Sequence, residues 1–295
     1  MQHTMADGAG MVQFLAAVAD LARGAVAPTV RPVWGRELLM ASHGDPSPRP
    51  RFAHREYDEV PDADGAIMPF DDLTHRSLFF GPLPPAAFSP SHHHHLRAPH
   101  RVPVEVPHDG TMALAPAADE TMRMICIVNL RGPGHGGSIP RGYYGNAFAF
   151  PVAMSTAGDL CANPVGYAVE LVMKAKREVD MEYVRSVARL MVRRGRPHFA
   201  VANAYLVSDV SKAGIRDLDY GWEKSAYTGP AKGGVGVIPG VASFLIAVKN
   251  AMGEDGIAVP VCLPRPAIKE FMEEMSKLMR PVAVGDTTSR IISAI

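Results

Sequence analysis

Between residues 164 and 192 the apolar positions Ala168, Leu171, Val172, Ala175, Val179, Val184, Val187, Leu190 and Met191 recur at the spacing of one helix face. Asp180 interrupts the run, so two consecutive helices are expected there. Strand candidates flank them: 122–130 and 147–155 before, 199–207 and the β-rich runs 235–248 and 257–263 after. The last two are joined by Asn250-Ala251-Met252-Gly253-Glu254-Asp255-Gly256, which reads as a hairpin turn. Ser77-Leu78-Phe79-Phe80 is a further short strand, and Ile268, Phe271, Met272, Met275, Leu278 and Met279 mark a closing helix. Strands and helices mixed in this order indicate an α/β protein. With 47% hydrophobic residues in 295, there is apolar material for one large or two ordinary domains.

The chain begins with its densest chemistry. Ahead of a helical pattern (Met11, Phe14, Leu15, Val18, Leu21, Ala22, stopped by Gly24) stands His3-Thr4-Met5-Ala6-Asp7-Gly8. A histidine where a loop enters a helix can take a proton from a bound hydroxyl, because imidazole ionises near neutrality. Asp7 suits orientation: capping the helix, or holding a cation that fixes the loop. Taken alone, the pair reads more readily as a plain helix cap and a start-of-chain histidine.

Thirty basic and thirty acidic residues leave no net field to draw nucleic acid or an anionic membrane. Cys126, Cys161 and Cys262 lie far apart in apolar settings and read as buried thiols of a reducing compartment. No run has the length of a membrane span and no secretory leader opens the chain, so a cytoplasmic protein is expected. Residues 43–66 are Pro- and charge-rich without periodicity and read as a linker. Residues 88–118 are His/Pro-rich; four consecutive histidines, His92 to His95, cannot converge on one ion from regular structure, so no metal site is expected. Gly132-Pro133-Gly134-His135-Gly136-Gly137 matches neither a P-loop nor a dinucleotide fingerprint and reads as a loop.

Asp219-Tyr220-Gly221-Trp222-Glu223-Lys224 resembles the DFGWG signature of the plant BAHD acyl-CoA-dependent acyltransferases, whose other signature is HxxxDG. Both stand here in that family's order. Residues 32–39, 142–148 and 229–234 also look like that family, closest to its branch that benzoylates benzyl alcohol. The resemblance implies a two-domain, chloramphenicol-acetyltransferase-like α/β fold with a channel between the domains. Residues 1–42 would be a remnant of the N-terminal domain, with 205–227 crossing over to it and 43–66 as crossover linker. Residues 67–204 and 228–295 would form the C-terminal domain. Family members carry a long segment before HxxxD, so this chain is expected to be N-terminally shortened and its first domain incomplete.

By the same resemblance His3 is the general base, Asp7 points away from substrate, and Arg131 is its partner. Asp219, Gly221 and Trp222 would be structural, shaping the channel. Two departures stand out: Glu223 replaces a small residue of the signature, and a helix with an S/T-F-E-x-L-x-A-x-x-W pattern is missing at 88–118. The implied activity is transfer of a benzoyl-like acyl group from acyl-CoA, as co-substrate, to a small alcohol. No permanently bound cofactor, nucleic acid or membrane partner is implied, and a monomer is expected. A second reading stays open: an inactive, shortened family member with at most a binding role.

Overall fold

The computed structural model describes residues 3–40, 52–60, 73–81, 116–132, 139–200, 202–222 and 242–278. In chain order these form helix α1 (Gly8–Ala22), strands β1 (Leu73–Phe80) and β2 (Thr121–Cys126), and a short pair, β3 (Val128–Asn129) and β4 (Phe148–Ala149). Then follow β5 (Val152–Thr156), helices α2 (Ala157–Ala162), α3 (Val165–Arg177) and α4 (Met181–Arg193), β6 (Ala204–Asp209), β7 (Ala242–Lys249), β8 (Asp255–Pro264) and α5 (Arg265–Leu278).

Six strands make one mixed sheet in the order β1-β8-β7-β6-β2-β5, while β3 and β4 form a separate ribbon. The two central pairings, β7 with β6 and β6 with β2, are parallel; the outer ones are antiparallel. In the β7–β8 hairpin the Asn250 side-chain oxygen accepts from the amides of Met252 and Glu254, at 3.0 and 2.9 Å, and Gly253 takes φ +79° to close the turn. Ala204–Asp209, which opens the stretch read from the sequence as crossing to the first domain, lies inside this sheet between β2 and β7.

Local chemistry sets the helix ends. Asp180 starts α4, its carboxylate accepting from the Tyr183 amide at 2.7 Å, so the interruption of the apolar run is a cap. Lys174, Lys176 and Arg177 fill the last turn of α3, where cations meet the negative end of the helix dipole. Helix α2, started by the Thr156 hydroxyl on the Asp159 amide, has six residues and is too short for a periodic signal.

Three strand expectations needed correcting. The 122–130 run breaks at Ile127 and the 147–155 run at Phe150-Pro151, because the chain leaves the main sheet there for the β3–β4 ribbon. The 199–207 run becomes a strand only at Ala204: Asn203 sits at φ +50°, and the Ala200 amide is held by the Glu56 carbonyl. The His92–His95 stretch lies outside the described residues.

The middle of the 43–66 stretch is anchored in the interior. Glu56 is 1% exposed; its carboxylate accepts from the Tyr183 hydroxyl at 2.7 Å and lies 3.2 Å from His54 Nδ1. His54 Nε2 is 2.7 Å from the Ser186 hydroxyl, and Tyr57 stacks on Phe199. Burial, and then the Glu56 charge, push the Tyr183 phenol far above its ordinary pKa, so it stays a donor. This polar network pins the segment to α4, which apolar counting alone misses. Replacing Glu56 by Ala strands two buried polar groups, and is expected to lower unfolding stability by about 2–4 kcal/mol. A fall in the urea midpoint with unchanged slope would register it.

Candidate active site

The site is built on the first turn of α1. Asp7 is its N-cap and is 5% exposed. One carboxylate oxygen accepts from the Gly10 amide at 2.9 Å; the other accepts from the Ala147 amide at 2.9 Å and from Arg131 Nη1 at 2.8 Å. Three donors and the positive end of the helix dipole thus compensate one buried charge. Arg131 spends its remaining donors on the same neighbourhood: Nε on the Tyr143 carbonyl at 3.1 Å and Nη2 on the Gly145 carbonyl at 2.5 Å. Its guanidinium therefore holds the 143–147 loop as well as Asp7.

The helix can come this close only because residue 10 is glycine. A Cβ there would lie 1.9 Å from the Tyr144 carbonyl oxygen. Gln13 adds a hydrogen bond to the Gly142 carbonyl at 2.7 Å, and Val33 bridges Tyr143 in parallel.

His3 is held by its backbone and left exposed by its ring. Asn146 Nδ2 donates to the His3 carbonyl at 2.9 Å, and Arg36, lying over the Trp34 ring, donates to the Met5 carbonyl at 2.8 Å. The imidazole stands edge-on to Phe148 with ring centres 6.1 Å apart. Asp7 faces Arg131, so the two signature side chains serve different directions: imidazole outward, carboxylate inward. Two buried polar atoms without a hydrogen-bond partner among the described residues, Asn146 Oδ1 and Arg36 Nε, belong to the side chains that hold this loop.

Asp219, Gly221 and Trp222 sit at the other end of α1. Arg23, at the helix C-cap, donates to the Asp219 carbonyl, and the Asp219 carboxylate accepts from the Gly221 amide at 2.8 Å. Gly221 takes φ +94°, and Trp222 is 89% exposed. At about 1.5 Å per residue the fifteen-residue helix sets this motif roughly 22 Å from the His3 end. Glu223 lies outside the described residues. Sequence reading gave no role to Gly10, Arg36, Asn146 or Phe148; the last three stood in family-like stretches, but nothing in their spacing tied them to His3.

Asp7→Asn keeps the shape while removing the charge Arg131 faces. It is expected to lower stability by about 2–4 kcal/mol, with Arg131→Lys failing to substitute because one ammonium cannot reach three separated acceptors. Chemical denaturation of the two variants checks both statements.

A model described as the Transferase family matches residues 1–82 and 111–278 and passes over most of the His/Pro-rich stretch. The benzyl alcohol O-benzoyltransferase of Petunia hybrida is 50% identical over 283 residues, covering 95% of this chain and 61% of that protein. That of Nicotiana tabacum is 49% identical over 295 residues, covering 99% of this chain and 63% of its own. The chain thus spans a little over three fifths of the length of these curated relatives. The crystal structure of F. graminearum TRI101 complexed with coenzyme A and deoxynivalenol superposes with a TM-score of 0.58 at 13% identity, over 92% of this chain and 64% of that one. The chain belongs to the Transferase family, the BAHD acyltransferases, and has their mixed α/β fold.

Proposed function

We propose that this chain carries the base of an acyl-CoA-dependent O-acyltransferase that moves a benzoyl-like group from the thioester to a small alcohol. The observation that carries the reading is the His3 loop: its backbone is fixed by Asn146, Arg36 and the Asp7 cap while its imidazole is left free to meet a substrate. The names of the two benzoyltransferase relatives and the coenzyme A in the TRI101 complex support the substrate classes.

In this mechanism an imidazole nitrogen of His3 accepts the alcohol proton as the oxygen attacks the thioester carbonyl. The tetrahedral intermediate collapses by breaking the C–S bond, and the departing thiolate takes the proton back from the imidazolium. Ester and free CoA thiol leave, and no covalent enzyme intermediate is needed, because the thiolate is a good leaving group. Asp7 takes no part in proton transfer; it positions the loop through the helix cap. We place the protein in the cytoplasm as a monomer, with acyl-CoA and alcohol as its partners. Among the described residues no helix is long and apolar enough to cross a membrane.

A second reading is favoured by one observation, the exposure of His3. Transfer to an alcohol competes with hydrolysis unless water is kept out, and a base open to solvent suits a family member with at most a binding role.

Incubation with benzoyl-CoA and benzyl alcohol separates the two, if benzyl benzoate and free thiol are both measured. The enzyme reading predicts equal amounts of each, and a fall of about 10²–10⁴-fold in His3→Ala with an unchanged thermal midpoint. Equal rates in both proteins would reject His3 as the base; thiol without ester would show hydrolysis in place of transfer and reject the alcohol as acceptor, and neither product would support the second reading.

A further inference from the structure

Among the described residues, one face of the six-stranded sheet is finished and the other is not. Along β6 the residues Ala204, Leu206 and Ser208 are buried, whereas Tyr205 and Val207 between them are only half-buried. Register carries the same side across the neighbours: Met124 of β2 lies beside Tyr205, and Ser243 of β7 beside Val207. Central parallel strands are ordinarily covered on both faces. Here α3, through Leu171, covers one end of this face and α5, through Phe271, the other. A cavity of about 380 Å³ remains between them.

Its chemistry is narrow. The walls are almost wholly apolar; Arg123 gives Nη1 to the carbonyls of Thr121 and Ala202, while its Nε has no hydrogen-bond partner among the described residues. The floor carries two hydroxyl pairs, Tyr205 with Ser243 and, towards α3, Ser155 with Tyr167 at 3.0 Å. Ser243 donates its one proton to the Pro260 carbonyl at 2.7 Å, so Tyr205 donates to Ser243 and the pair offers the chamber only acceptor lone pairs. The volume falls in the range of small-molecule sites, about 300–1,000 Å³, and exceeds the roughly 150 Å³ of an apolar cavity that admits benzene. None of the lining residues belongs to the His3 loop or its supports.

We propose that this chamber is a second binding site, separate from the His3 loop, for a neutral, mainly apolar molecule bearing one hydroxyl donor, of the size of a bicyclic phenol. The almost wholly apolar walls disfavour anions and cations, Arg123 standing beside Ala204 on the opposite side of the sheet from Met124 and Tyr205, and the Tyr205–Ser243 pair selects a donor.

The test titrates the full chain with 2-naphthol, and with naphthalene as the donor-free control, following probe fluorescence and the thermal midpoint. Saturable binding of one 2-naphthol per chain is expected. Leu245→Trp, filling from the floor, and Leu171→Trp, filling from α3, should each weaken it about tenfold or more. Tyr205→Phe should weaken 2-naphthol about fivefold, the worth of one neutral hydrogen bond, and leave naphthalene unchanged. Near-UV circular dichroism verifies that each variant is folded; should both tryptophan variants fail to fold, the Tyr205→Phe ratio decides. No saturable binding to the wild-type chain would overturn the proposal, whether residues 82–115 or a second copy fills the space. So would binding indifferent to both tryptophans, which would place the probe on exposed apolar surface, or a Tyr205→Phe effect equal for both probes.

Discussion

One buried carboxylate organises the N-terminal part of this protein. Asp7 receives three donors from three segments: the first turn of α1, the loop before β4, and Arg131 after β3. A carboxylate taken out of water is destabilising unless its lone pairs are met, so the three segments hold a common geometry or none of them does. The close approach of Gly10 to the Tyr144 carbonyl follows from that geometry, as does the fixed backbone of His3.

Helix α1 then works as a strut between two sequence motifs: Asp7 caps one end, and at the other Arg23 meets Asp219, 196 residues further along the chain. The HxxxD end presents an imidazole; the DYGW end presents a glycine at positive φ and an exposed tryptophan. The helix length sets the downstream motif roughly 22 Å from the His3 end. Phe14 and Leu21 remain about half-exposed on the helix between them, an apolar stripe with little of the described chain against it.

Much of this was legible in the sequence wherever a single local rule governs. The 3.6-residue period gave α1, α3, α4 and α5; the interruption at Asp180 gave the boundary, where the structure places a cap; an Asn-to-Gly turn gave the β7–β8 hairpin. The Asp7–Arg131 contact came from family resemblance, since nothing in spacing links two residues 124 apart. What stayed hidden depends on tertiary partners. Glu56 sits in a charged, proline-rich stretch and yet is buried, because Tyr183, 127 residues on, and His54, held in turn by Ser186 of α4, meet its carboxylate. The turns at Ile127 and Pro151 divide runs that read as continuous, because strand pairing, not propensity, decides where a strand ends. The chamber over Tyr205 and Val207 is invisible to alternation, which reports two faces without saying what covers each.

The claim on which the site depends is that Asp7 and Arg131 act as one unit rather than as two convenient neighbours. A double-mutant cycle of unfolding free energies with Asp7→Asn, Arg131→Gln and the pair measures it directly. The clamp predicts a coupling of about 1.5–3 kcal/mol between the two substitutions. Additivity within about 0.5 kcal/mol would contradict it and leave the His3 loop without its support.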